Sequence, residues 1–261
     1  MGAPARPLPC HDRGLAAREI AQLLAGVAQP TLVEVGANDG SDTRAFAREL
    51  PHARLHAFEC DPRALQRFRQ KGVPATATLH AHAVGREEGE ATFHASAGHA
   101  PPKRRSLGGR LRHALRRLLG RGSDGRGHGA FEAPREWDLS GSLRTPQGHL
   151  EAYPWITFDA SFTVKVRPLD AWWAEQGRPP IDLLWMDVQG AEGDVLSGAR
   201  AALAATHYVY AEFDPDPARP LYAGSLGLEA TLEALGPGWQ GVGLYAGNNV
   251  LARNGRRTPP A

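Results

Sequence analysis

The chain has 261 residues, 42% of them hydrophobic, a formal net charge of +2 and two cysteines, Cys10 and Cys60. That composition supplies the core of one α/β domain with an elaboration, and so few cysteines argue against a disulfide framework. No run approaches the roughly 18 apolar residues of a membrane span, and the N-terminus lacks a secretion signal's apolar core and carries Arg6 where myristoylation needs Ser or Thr, so a cytoplasmic protein is expected.

Residues 1–12, rich in Pro and Ala, read as a loose tail ahead of a single domain over 13–253. Leu15, Ile20, Leu23, Leu24 and Val27 recur at helical spacing, which predicts an edge-covering helix over 13–28. A strand at 32–36, a helix at 42–50 and a strand at 54–59 follow. Asp61 as N-cap and Pro62 in the first turn predict a helix over 62–71. Strands are expected at 79–84 and 91–95. Residues 97–130 change character: Lys103, Arg104, Arg105, Arg110, Arg112, Arg116, Arg117, Arg121 and Arg126 face a single acid, Asp124, and leucines recur between them at helical spacing. This reads as a basic amphipathic insert between flexible linkers in an otherwise mildly acidic chain. Beyond it come irregular structure at 137–142, a returning strand at 155–166, a helix at 169–176, a strand at 183–188 and a helix spanning 192–204. A strand at 207–213, a helix at 225–235, two strands near 239–245 and 248–252, and a frayed end over 254–261 complete the chain. Alternating strands and helices imply a mostly parallel sheet covered on both faces, closed by an antiparallel edge hairpin at Gly247-Asn248-Asn249.

The turn after the first long strand reads Gly36-x-Asn38-x-Gly40, and the second strand ends at Glu59. Strand, glycine turn and helix in succession form the joint at which open α/β sheets bind nucleotide-like cofactors, and a carboxylate about twenty residues on can accept hydrogen bonds from a ribose diol. The turn departs from the dinucleotide fingerprint, and the phosphate-binding G-x-x-x-x-G-K-[ST] loop is absent. An amide at Asn38 suits the amino and carboxylate groups of a methionine moiety, so S-adenosylmethionine fits better than NAD or ATP. A plain turn without ligand is the alternative.

The blocks VEVGANDGSDT, HAFECDP, VRPLDAWW and, above all, Asp187-Val188-Gln189-Gly190-Ala191-Glu192 occur in one order over residues 31–213. In this the chain resembles the FkbM family of S-adenosylmethionine-dependent methyltransferases. Two departures stand out: Gln189 where the family pattern usually has Glu, and Cys60 where it often has Pro. The resemblance implies a class I, Rossmann-like α/β fold with a mostly parallel seven-stranded sheet, and O-methylation of a hydroxyl on a small molecule, sugar or glycan. An RNA-directed methyltransferase using the basic insert, a non-catalytic cofactor-binding module and an NAD reductase are the competing readings.

The residues expected around the cofactor are Glu34, Gly36, Ala37, Asn38, Gly40, Ser41, Glu59, Cys60, Ala83, Val84 and Asp187. Ala83 and Val84 are placed at the adenine edge, where small side chains let a ring lie flat. Asp187, at the carboxyl end of its strand, heads the catalytic candidates as base or acceptor ligand, with helix capping as the plain alternative. Glu192 and Glu212 join it, although Glu192 also suits the helix dipole. No spacing argues strongly for a metal. His80 and His82 are placed at alternating positions of one strand, and Ser142 in a serine-bearing loop. For 103–121 the readings are a solvated elaboration, contact with an anionic membrane or glycolipid carrier, and nucleic-acid binding, the weakest because no aromatic or zinc pattern accompanies the charge.

Overall fold

A computed structural model describes residues 7–99 and 137–257; the basic insert from residue 100 onward, with its expected contact surface at 103–121, lies outside the described residues. The strands are β1 (Cys10–His11), β2 (Thr31–Val35), β3 (Arg54–Phe58), β4 (Ala77–His80), β5 (Ala83–Val84), β6 (Gly89–Gly98), β7 (Ile156–Arg167), β8 (Ile181–Met186), β9 (Thr206–Glu212), β10 (Trp239–Tyr245) and β11 (Asn249–Asn254). The helices are α1 (Ala17–Leu23), α2 (Ser41–Glu49), α3 (Pro62–Lys71), α4 (His149–Ala152), α5 (Leu169–Glu175), α6 (Glu192–Ser197), α7 (Arg200–Ala204) and α8 (Leu228–Leu235).

Eight strands form the main sheet in the order β1-β10-β11-β9-β8-β2-β3-β4, and β5-β7-β6 form a second, small sheet. Strands β4, β3, β2, β8 and β9 run parallel, and β11 and β10 close the sheet antiparallel. Every residue of β2 is buried, as a central strand covered on both faces requires. Its side chains alternate between two cores. Val33 and Val35 pack with Leu184, Met186, Trp172 and Leu196 on one face. Leu32 packs with Leu183, Leu55, Ile20 and Phe46 on the other. Asp61 caps α3 as expected, its carboxylate accepting from the Arg63 amide at 2.8 Å.

Four local expectations are corrected. The tail is not loose throughout: Cys10 and His11 pair with Leu244 and Tyr245, so the closing hairpin lies inside a further edge strand. The strand expected over 79–84 divides, because β4 extends the main sheet while Ala83 and Val84 pair with Val166 and Arg167 of the small one. His80 and His82 therefore share no strand. The helix over 192–204 breaks at Gly198, where a Cβ would overlap the carbonyl oxygen of Gly85. There the Asp170 carboxylate accepts from the amides of Ala201 and Ala202 at 3.0 and 2.7 Å and starts α7 afresh. Asn254, assigned to the frayed end, closes β11 with its amide donating to the Leu203 and Thr206 carbonyls at 3.3 and 3.1 Å.

Candidate cofactor and acceptor site

Sheet register alone assembles the site. Val35 pairs with Phe58 on one side and Met186 on the other, and Met186 pairs with Ala211. The next residue on each strand is Gly36, Glu59, Asp187 or Glu212, so these four lie side by side at the carboxyl ends. The chain winds outward in opposite directions from β2 and β8, and this switch point is where open α/β sheets place their ligands.

The exit turn of β2 depends on two glycines at positive φ, Gly36 at 88° and Gly40 at 74°. A Cβ on Gly36 would overlap the backbone of Asp187, and one on Gly40 would strike the Phe68 ring. Asn38 takes φ 45° between them, a left-handed conformation that Asn tolerates. Its backbone amide donates to Glu59 Oε2 at 2.7 Å. The other oxygen of Glu59 accepts from the amides of Cys60 and Asp61, both at 2.7 Å. Burial nevertheless pushes the Glu59 carboxyl up to about 7, with the three amides acting against that rise.

A cavity opens between this turn and β8. Gly36, Asn38, Glu59 and Cys60 line one side, Asp187 and Gln189 the other. Ala83 and Val84 contribute to its wall, as do Phe93 and Leu143, which belong to the small sheet's apolar cluster. Of the residues expected at the cofactor, Gly36, Asn38, Glu59, Cys60, Ala83, Val84 and Asp187 reach the cavity; Glu34, Ala37, Gly40 and Ser41 do not. Buried Glu34 accepts from the Thr43 hydroxyl, Ala37 packs with Ala57 and Phe68, and the Ser41 amide and hydroxyl bond Asp39 at 3.1 and 2.6 Å. They shape the turn behind the site. The Cys60 thiol is pushed far above its ordinary range by burial, so it stays protonated and unreactive. His82 lines the cavity, while His80 stacks on Phe58 at 4.4 Å and is held down to about 4 by burial.

The catalytic candidates take distinct places. Asp187 lies exposed on the cleft wall, accepting from Gln189 Nε2 at 2.6 Å. Enclosure by the protein raises its carboxyl above the ordinary value, and the water of the cleft tempers that rise. Glu212 accepts from Asn248 Nδ2 at 2.6 Å and from Gln189 Nε2 at 3.0 Å. Burial, then the charge of Asp187, push it up to about 9. Glu192 is buried away from the cavity, where it accepts from the Val188 amide at 3.2 Å and is raised to about 7, chiefly by burial. It braces the turn after β8. Capping does not explain Asp187, since the N-cap of α6 is Ala191 and no side chain caps the helix.

Sequence reasoning noted Gln189 only as a departure and gave Tyr222 and Asn248 no role. Tyr222 donates to the Ser140 carbonyl at 2.7 Å and stands 3.3 Å from Gln189 Oε1. Ser142, placed from the sequence in a serine-bearing loop, is buried and donates to the Gln189 carbonyl at 2.7 Å. No sequence spacing signals these contacts; they join residues 33 and 47 positions apart.

The described lining carries Glu59, Asp61, Asp138 and Asp187 and neither Lys nor Arg. Asp61 and Asp138 are paired with Arg63 and Arg67, which leaves Glu59 and Asp187 as the wall's carboxyl groups without a basic partner, a setting that accommodates a sulfonium. Among the described residues no group of three or more His, Cys, Asp or Glu is arranged to hold a metal ion, and no helix is long and apolar enough to cross a membrane.

The family profile described as "Methyltransferase FkbM domain" matches residues 34–223. The chain is 36% identical over 229 residues to 2-O-methyltransferase NoeI of Sinorhizobium fredii, covering 86% of this chain and 79% of that relative. Among solved structures, a putative O-methyltransferase from Klebsiella pneumoniae aligns at TM-score 0.44 and 16% identity, over 91% of this chain and 79% of its own. CalS10, an amino pentose methyltransferase from Micromonospora echinaspora, aligns at TM-score 0.40 and 12% identity, over 91% and 89%.

Proposed function

The chain belongs to the FkbM family of S-adenosylmethionine-dependent methyltransferases, and from that membership we propose that it methylates a hydroxyl oxygen of a small-molecule or glycan acceptor, with Asp187 as the proton acceptor. Bound S-adenosylmethionine supplies a methyl group already activated by its sulfonium. Glu59 would take the ribose hydroxyls, Ala83 and Val84 the flat face of the adenine, and Asn38 the amino-acid end. The Asp187 carboxylate would favour the positive charge at the reacting centre.

The observation that carries this reading is the position of Asp187. It is the one catalytic candidate that lies on the cavity wall, and it is in register with Gly36 of the cofactor turn. An alcohol must shed its proton as its oxygen is methylated, and a positioned carboxylate accepts that proton. Glu212 beside it is pushed up to about 9 and so keeps a proton at neutral pH, which leaves Asp187 the ionised member of the pair. A glycan acceptor is supported by Trp137, which directly precedes Asp138 of the cavity wall and whose ring centre lies 4.8 Å from that of Trp155, both partly exposed. Such a ring face can stack on the apolar side of a sugar. Residues 103–121 would add contact with an anionic lipid or glycolipid carrier, a proposal that rests on their leucines and arginines alone.

The test is transfer of an isotopically labelled methyl group from S-adenosylmethionine to a panel of sugars, oligosaccharides and hydroxylated metabolites. Asp187→Asn is expected to lower kcat by about 10²–10⁴ while the protein still binds S-adenosylhomocysteine. Undiminished turnover in that variant would overturn the role of Asp187, and methylation confined to amines would overturn O-methylation.

A further inference from the structure

Gln189 stands between the two carboxylates that the chemistry needs. Its Nε2 donates to Asp187 Oδ1 at 2.6 Å and to Glu212 Oε2 at 3.0 Å. A side-chain amide has two N–H bonds, and a carboxyl group can accept whether it is ionised or carries its proton, so each hydrogen has one carboxyl group to serve. The residue is fixed chiefly through its backbone. Tyr222 Oη lies 3.3 Å from Gln189 Oε1, and the buried Ser142 hydroxyl donates to the Gln189 carbonyl at 2.7 Å. Next to it, a Cβ on Gly190 would lie 2.7 Å from Tyr222 Cβ, so the turn and the tyrosine are pressed together. Gln189 itself adopts φ 53°, a backbone that a long side chain rarely takes and that persists where surrounding contacts enforce it.

We infer that Gln189 is a positioning residue whose amide spans Asp187 and Glu212, holding Asp187 ionised and turned to the cleft as the proton acceptor. The inference rests on the reading of Asp187 given above. The other groups facing the pair are Glu34 on β2, Asp42 on α2, Glu192 on α6, Tyr210 on β9 and Tyr222. All are acidic or phenolic, and among the described residues no Lys, Arg or His forms an ion pair with Asp187 or Glu212. The amide, together with the proton that Glu212 keeps and turns toward Asp187, thus takes the place of a cation beside the two carboxyl groups, and it adds no charge to a wall that would face a sulfonium.

The experiment is a ¹³C-carboxyl NMR titration of the full-length protein with S-adenosylhomocysteine present, with Asp187→Asn and Glu212→Gln assigning the two resonances. Gln189→Met keeps the length and removes both donors, and Gln189→Glu also adds a charge. In both, the Asp187 midpoint is expected to rise by about one pH unit or more, a tenfold gain in proton affinity, larger in Gln189→Glu. The acid limb of the methyl-transfer profile should move with it, a change that mere loosening would not produce. Unmoved midpoints in folded variants overturn the inference. If both variants fail to fold, Gln189→Asn, favoured at this φ, withdraws the amide by one methylene, and an unmoved midpoint there overturns it equally. Retained turnover in Asp187→Asn would instead sink the proton-acceptor reading while leaving the titration result standing.

Discussion

A Cβ on Gly36 would overlap the carbonyl oxygen of Asp187. The first residue after β2 thus lies flat against the first residue after β8, and the Asp187 amide donates to the Val35 carbonyl at 3.0 Å. Cofactor turn and proposed proton acceptor are one packed unit. Gly36→Ala combines that overlap with φ 88°, a backbone that favours glycine. It is expected to destabilise the fold by about 2 kcal/mol or more and to abolish S-adenosylmethionine binding. Chemical unfolding and calorimetric titration check both, and a variant that binds normally would disprove the close approach.

Glu59→Gln keeps side-chain volume but turns an NH₂ group toward backbone amides that now donate to a carboxylate. Leaving such donors without acceptors costs about 1–3 kcal/mol. Loss of the proposed ribose contact should reduce S-adenosylmethionine affinity by about tenfold or more, equal to 1.4 kcal/mol. Wild-type affinity in this variant would remove Glu59 from the cofactor site.

The buried carboxylates set the pH dependence of stability. Glu212 ionises near 4.5 when unconstrained and at about 9 in the fold. Below the lower value both states carry the proton. Between the two, the folded chain holds a proton that the unfolded chain has released, so stability falls as pH rises. Glu59 and Glu192, both raised to about 7, add to the fall over its lower part. The melting temperature should therefore drop from mildly acidic to alkaline pH. Glu212→Gln should flatten the stretch between about 7 and 9. An unchanged slope there would show that Glu212 keeps no proton in the fold.

Ser142→Ala removes a buried hydroxyl that donates to the Gln189 carbonyl and accepts from the Arg144 amide at 2.8 Å. A loss of about 1–2 kcal/mol is expected, with KM for the acceptor raised more than kcat is lowered, because Ser142 orients the Gln189 backbone without lining the cavity itself. Steady-state kinetics separates the two.

Cys60 lines the cavity with its thiol held protonated, whereas Cys10 is exposed. Iodoacetamide should modify Cys10 first and Cys60 slowly, and S-adenosylhomocysteine should slow Cys60 further. Peptide mass mapping over time reads this directly, and a fast, unprotected Cys60 would contradict its placement.

Much of this was legible from short-range pattern. Gly36 and Gly40 marked the turn, Glu59 the end of the next strand, and Asp61-Pro62 the start of α3, because each signal acts within a few residues of itself. The split of 79–84 was not legible: Ala83 and Val84 leave the main sheet to pair with Val166 and Arg167, some eighty positions away. The break at Gly198 likewise depends on Gly85 and Asp170, which only folding brings near.

The sequence by itself determined the class of fold, the glycine turn after β2 and which carboxylates end the parallel strands, since hydrophobic periodicity and glycine geometry are local properties of the chain. Only the tertiary structure decided which of those carboxylates reach the cavity and what stands between them. Gln189 meets Glu212 across 23 residues and Asn248 meets it across 36. Those meetings follow from strand register, which is set by the packing of whole sheet faces and by nothing in the residues' own neighbourhood.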